Sequence, residues 1–182
     1  MMAFASHQGP VTQVIIDKKS PHLLHSCGLD RAVYTHDLKA GQTVTTHLLE
    51  KQAGGSFEGI TQHRSGFNPL VTAGRDGCLR TWDRDYFEAV ESFYDPNRMR
   101  LNDIMVSPSG KFLAVCGDDH LLKVYDVSTA QPQLIAVGTG HCNIARSLSW
   151  SPDEKQIITV GDDSCICVWN FFLAESGAGE KK

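Results

Sequence analysis

A twelve-residue segment recurs four times in phase, and this constrains the fold more than any other feature of the chain. The copies are SCGLDRAVYTHD (26–37), TAGRDGCLRTWD (72–83), VCGDDHLLKVYD (115–126) and TVGDDSCICVWN (159–170). Gly28, Gly74, Gly117 and Gly161 share one column, and Asp30, Asp76, Asp119 and Asp163 share another. The last two columns read His36-Asp37, Trp82-Asp83, Tyr125-Asp126 and Trp169-Asn170. Successive glycines lie 46, 43 and 44 residues apart. A fixed period of this length marks one supersecondary unit that cannot bury its apolar face alone and must stack on its neighbours.

Each copy reads as an apolar strand, a tight polar turn and a second strand rich in β-branched and aromatic residues. In the last copy the strands are 156–160 and 165–169, with Gly161-Asp162-Asp163-Ser164 between them. Glycine and aspartate there supply unusual backbone angles and local hydrogen bonds. Upstream corners, Ser107-Pro108-Ser109-Gly110 and Ser151-Pro152-Asp153-Glu154, suit type I turns. They follow two further strands, Leu101–Val106 and Ala145–Trp150, read as innermost, while 43–49 and 133–137 read as outer strands. Strands such as those holding Leu121-Leu122 and Ile157-Ile158 are apolar on both faces. A lone antiparallel sheet would leave one face wet and alternate. Sheets stacked face to face are therefore expected.

The period, the four phased glycine–aspartate columns and the Trp-Asp endings resemble the WD40 family, from about His7 to Trp169. The resemblance implies an all-β fold of four four-stranded antiparallel blades over 1–174, approximately 7–50, 55–94, 100–138 and 141–174, forming a partial β-propeller. A polar tail, 175–182, is expected to be disordered. A seven-bladed ring of this period needs on the order of 300 residues. The chain is thus expected to be half of a ring completed by a partner chain, the C-terminal part of a longer protein or, least of the three, a closed four-bladed ring. Little follows Trp169 that reads as an outer strand for blade four.

The family also implies a buried chain of His, Ser or Thr, Asp and Trp within a blade. Repeat four carries the whole set: His141, Thr159, Asp163 and Trp169. Repeat one keeps His7, Ser26 and Asp30 but has His36 in place of Trp. Repeat two keeps Thr72, Asp76 and Trp82 without the histidine, and repeat three keeps Asp119, with Val115 and Tyr125 at the polar and Trp positions. Blade four is expected to be the best stapled. A Thr-His-Asp set also resembles a catalytic triad, but buried polar groups must be paired, and pairing alone accounts for it.

Other features argue against catalysis and cofactors. There is no phosphate-binding G-x-x-x-x-G-K-[ST] loop, no G-x-G-x-x-G and no G-x-S-x-G elbow. His22, His25, His36 and His47 read as scattered surface or hairpin residues rather than metal ligands. The six cysteines form no C-x-x-C pair and read as reduced, mostly core residues; Cys165 and Cys167 share a strand face with Trp169. With 17 basic and 21 acidic side chains, net charge is −4, which disfavours nucleic acid and anionic membranes as partners. Gly54-Gly55 reads as an interblade loop. The loop Asp95-Pro96-Asn97-Arg98-Met99-Arg100 is the first choice for a partner contact, through Asp95, Asn97, Arg98 and Arg100, because loops on rigid scaffolds carry recognition.

A non-catalytic protein-interaction scaffold follows. The stretches Asp118-Asp119-His120-Leu121-Leu122-Lys123-Val124-Tyr125-Asp126 and Val137-Gly138-Thr139-Gly140-His141, leading into Asn143-Ile144-Ala145-Arg146, resemble cilia- and flagella-associated WD40 proteins. That resemblance implies an axonemal, cytoskeletal location, with tubulin and axonemal proteins as partners. The alternative is a regulatory adaptor or substrate-recognition subunit of a cytosolic or nuclear complex.

Overall fold

The computed structural model describes residues 2–48, 56–62, 70–82, 89–129 and 132–172. Gly54-Gly55, Asp83 and the tail 175–182 lie outside them. The described residues form strands and turns only, and no helix is long and apolar enough to cross a membrane.

Fifteen strands build four antiparallel sheets. Blade one is β1 (Val11–Ile16), β2 (Leu23–Gly28), β3 (Ala32–Asp37) and β4 (Gln42–Leu48). Blade two is β5 (Phe57–Gln62), β6 (Leu70–Gly74), β7 (Cys78–Trp82) and β8 (Ala89–Tyr94). Blade three is β9 (Leu101–Val106), β10 (Phe112–Gly117), β11 (Leu121–Asp126) and β12 (Gln133–Thr139). Blade four is β13 (Ala145–Trp150), β14 (Gln156–Gly161) and β15 (Ile166–Asn170). Strands pair in chain order, so every blade is an up-and-down meander. The all-β propeller-blade architecture expected from the repeats is present, with three described strands rather than four in the last blade.

The hairpin turn explains two of the repeat columns. The residue after every Asp-column position has the left-handed backbone: Arg31 (φ 65°), Gly77 (φ 71°), His120 (φ 65°) and Ser164 (φ 62°) stand in one column. The column aspartate caps the turn from below, accepting the amide of Ala32, Cys78, Leu121 or Cys165 two residues on. The unusual backbone angle thus sits beyond the aspartate, not at the column glycine. At Gly28 and Gly161 the missing Cβ matters instead for close approach: it would stand 3.0 and 2.9 Å from the Nδ1 atoms of His7 and His141.

The core lies between blades and repeats at equivalent positions. Between blades two and three, Val71, Ala73 and Leu79 meet Leu101, Ile104, Val106, Leu113 and Tyr125. Between blades three and four, Ala114, Cys116, Leu122 and Val124 meet Ala145, Leu148, Trp150, Ile157 and Trp169. Cys27 and Val33 meet Phe57, Leu70 and Trp82 between blades one and two. The sheets of blades two and three thus bury one face on the blade before and the other on the blade after. β10 is buried throughout. β14 has the same kind of sequence but alternates, with Ile157 buried and Ile158 exposed. Burial of both faces, expected from the sequence, is therefore not seen in the last blade, where no further sheet among the described residues covers the outer face. Among the described residues blade four and blade one do not pack on each other, so the arc is open.

Candidate functional site

Each blade carries a polar network at its hairpin, and in blades one, three and four it reaches back to the loop entering the blade. In blade four the Trp169 indole N–H donates to Thr159 Oγ1 at 2.8 Å, and Thr159 lies 2.7 Å from His141 Nε2. His141 Nδ1 lies 2.8 Å from Asp163. Because carboxylates only accept, His141 donates from Nδ1, so its Nε2 accepts the Thr159 hydroxyl. Asp163 also accepts the amides of Cys142 and Cys165. Burial pushes its pKa up, but these donors outweigh burial and hold it near about 2.

Blade one builds the same chain with a histidine for the tryptophan. His7 Nδ1 lies 2.9 Å from Asp30, and His7 Nε2 lies 2.8 Å from Ser26 Oγ. Ser26 Oγ lies 2.9 Å from His36 Nε2. His36 Nδ1 reaches Thr43, which contacts Ser6. With neutral imidazoles, Ser26 donates to His7 Nε2 and accepts from His36 Nε2–H, so donors and acceptors alternate along this row. Burial, then the neighbouring His7 and His25, lower the pKa of His36. A second buried chain crosses the same sheet, Asp17–His25–Thr35, with contacts of 3.0 and 2.9 Å. His25 is thus a fully buried structural histidine, not a scattered surface one, because Asp17 and Thr35 satisfy its two ring nitrogens.

Blades two and three solve the problem with cations. Arg80 pairs with Asp76 at 2.5 Å, and Trp82 donates to Thr72 at 2.9 Å. In blade three Lys123, at the column equivalent to Arg80, pairs with both Asp95 (2.5 Å) and Asp119. Tyr125 donates its hydroxyl to Asp95 at 2.6 Å. Burial, then this bond and the Asp95 charge, raise the phenol's pKa.

This relocates the loop read as a partner contact. Asp95 is buried and serves blade three from within. Asn97 donates to Asp119, and Arg100 pairs with Glu58 at 2.8 Å. Three of the four residues chosen from the sequence are therefore engaged internally. Arg98 remains outward, its guanidinium 4.5 Å over the exposed Tyr94 ring, beside exposed Met99.

Sequence reasoning missed Arg80, Lys123 and Asp103. The first two were visible as cations at one repeat column inside apolar strands. Asp103, in LNDIMV, gave the same signal: a charge in an inner strand. It accepts from Gln13 of blade one at 3.2 Å and from Ser147 and the Leu148 amide of blade four at 2.6 and 2.9 Å. One carboxylate thus ties three inner strands together.

Among the described residues no group of three His, Cys, Asp or Glu side chains is placed to hold a metal ion. All six cysteines are free; Cys27, Cys78 and Cys116 are buried, and burial raises their pKa values, that of Cys27 to about 12. Cys142 and Cys165 are exposed, contrary to the core role read from the sequence, since the blade-four face beside them is open.

Residues 90–126 and 132–170 match the family model described as "WD domain, G-beta repeat", so these two stretches are WD40 repeats. It is 29% identical to Protein hir-1 of Neurospora crassa over 56% of this chain and 12% of that protein. It is 24% identical to the anaphase-promoting complex subunit cdh1 of Dictyostelium discoideum over 86% and 20%. It is 27% identical to the target of rapamycin complex subunit wat1 of Schizosaccharomyces pombe over 56% and 32%. The chain thus spans at most a third of the length of these relatives.

Proposed function

We propose that this chain of WD40 repeats is a non-catalytic adaptor module that presents loops and blade edges to protein partners inside a larger regulatory complex. The observation that carries this reading is the use made of the triad-like residues. His141, Thr159 and Asp163 are mutually satisfied and closed by Trp169, so the Thr159 hydroxyl is held as a structural group rather than presented as a nucleophile. His7, Ser26 and Asp30 are consumed likewise. Their proposed role is to staple each entering loop to its hairpin, which holds the loops rigid for recognition.

Two of the relatives are named as complex subunits, and none of the three is named for a cilium or an axoneme. That favours the adaptor over the axonemal scaffold. The contact patch we assign is Tyr94, Arg98 and Met99, an exposed aromatic–cation–thioether group of the type enriched at interfaces. Affinity purification from cells with cross-linking mass spectrometry tests the reading. Neighbours that are subunits of one cytosolic or nuclear complex, lost with Arg98→Ala while the melting temperature holds, are expected. Cross-links to tubulin and axonemal proteins in its place would return the chain to the axonemal scaffold.

A further inference from the structure

Where blades two and three meet, one guanidinium is left without a carboxylate. Among the described residues of these two blades the other arginines all have one. Arg75 and Arg100 pair with Glu58 at 3.3 and 2.8 Å, and Arg80 pairs with Asp76 at 2.5 Å. The Arg98 guanidinium lies over the Tyr94 ring instead, 4.5 Å from its centroid. A guanidinium over a ring uses its face there and keeps its N–H donors along its edge, in the fork that matches a carboxylate. Tyr94 and Met99 beside it are 50% and 44% exposed. Blades two and three are packed on both sides, so this patch is bare with its neighbouring sheets in place.

The backbone adds an independent observation. Arg98 is left-handed (φ 48°), a conformation for which glycine is the default, and it stands outside the hairpin column that holds the other turns. The loop around it is pinned. The Asp95 amide donates to the Gly77 carbonyl at 2.8 Å, and the Arg98 amide to the Asp95 carbonyl at 2.9 Å. The Asn97 amide donates to the Asp95 carboxylate at 3.1 Å, and its side chain to Asp119 at 2.9 Å. A strained residue held this firmly points to function, and a pinned loop loses little freedom when something binds. The charge beside it narrows what binds. Asp95 and Asp119 share one cation, Lys123, which leaves one negative charge in excess. That charge repels a dianionic phosphate about twice as strongly as a carboxylate.

We propose that Arg98 is the receptor for a single carboxylate, and that a partner protein docks here through a short segment that is acidic and apolar side by side. Its aspartate or glutamate takes the two parallel N–H donors of the guanidinium edge, while the Tyr94 ring holds the guanidinium face. Its apolar neighbour lies on Tyr94 and on Met99, whose flexible thioether adapts to the shape it meets. The preference belongs to this loop. Three positions before the inner strand, where blade three has Arg98, blades one and four have the uncharged Gln8 and Cys142. This names the partner chemistry of the patch assigned above and rests on the adaptor reading.

The test is selection from a phage-displayed library of random short peptides on the intact chain, with the Arg98→Gln chain as counter-target. The selected peptides are expected to share an aspartate or glutamate next to a leucine, isoleucine or phenylalanine. Calorimetry with those peptides should show Arg98→Gln weakening binding about tenfold or more, as hydrogen bonds to a charged group are lost. Arg98→Lys keeps the charge without the fork and should fall between. Changing the peptide's acid to its amide should cost the same factor on the native chain and nothing further on the Arg98→Gln chain. Circular dichroism melts verify that each variant is folded. Peptides without an acidic residue, peptides that bind the Arg98→Gln chain equally well, or no selected peptide would overturn the proposal. So would a phosphoserine peptide that binds more tightly than its glutamate counterpart, because the site would then suit a dianion. Neighbours cross-linked in cells test the adaptor reading separately. Complex subunits there with no acidic preference among the peptides sink this inference alone. An acidic preference with axonemal neighbours sinks that reading alone.

Discussion

Blades three and four are built from the same repeat, yet they reach stability by different routes. Blade three is covered on both sides, and β10 is buried from end to end. At its turn a buried lysine sits between two carboxylates. Blade four is covered on one side and closes its turn with an uncharged row, Trp169–Thr159–His141, ending on Asp163. The difference teaches that a polar cluster is not ranked by how closely it keeps the family's residues. Repeat three lost His, Thr and Trp, but Asp95, Lys123 and Tyr125 rebuilt the cluster with charges. The expectation that blade four is the best stapled compares one lone aspartate with a full set. The real comparison is between two complete networks, one a lysine held between two carboxylates and one a single carboxylate served by hydrogen bonds.

The sharpest way to break the comparison is Lys123→Met. It leaves the Asp95 and Asp119 carboxylates facing each other without their cation, and loss of one partner from a buried ionic group costs about 3–5 kcal/mol. The urea midpoint should drop accordingly; a shift of only a few tenths would mean water already serves Asp95. Thr159→Val in blade four should cost less, about 2–3 kcal/mol, since the Trp169 indole and His141 Nε2 each lose a partner. If chemical denaturation ranks the two variants the other way, the blade-four network is the stronger staple.

Acid should separate the blades in turn. The folded pKa of His36 is lowered below its ordinary 6.5, so the neutral ring's contribution is complete above 6.5 and fades as pH falls below it. Asp163 is lowered from 3.8 to about 2, so its contribution holds above 3.8 and is lost only as pH falls from there toward about 2. Thermal melts should therefore weaken below neutrality through blade one first, and His36→Trp should flatten that early slope. An unchanged slope would place the first protonation elsewhere. The smallest expected effect is His120→Gly, which relieves a left-handed backbone at a cost saving of up to about 1 kcal/mol. The melting midpoint should rise slightly or stay level, not fall.

How far the sequence was legible follows from what each residue responds to. The phased Gly and Asp columns, the turn corners and the strand Leu101–Val106 were readable because turn chemistry and apolar runs are local. The residues His141, Thr159, Asp163 and Trp169 were readable as a set because the repeat places them in register. Asp95 was misread as a loop contact because its partners lie 28 and 30 positions away on another strand. His25 was misread for the same reason, since a histidine's burial depends on which neighbours arrive around it.

The amino-acid sequence by itself determined that this chain forms repeated antiparallel sheets, because period, turn residues and apolar strands are properties of short segments. Only the tertiary structure decided which charges are buried, which loop residues stay outward, and which sheets are covered on both faces. Those outcomes depend on how whole sheets stack, and stacking is fixed by contacts between residues tens of positions apart.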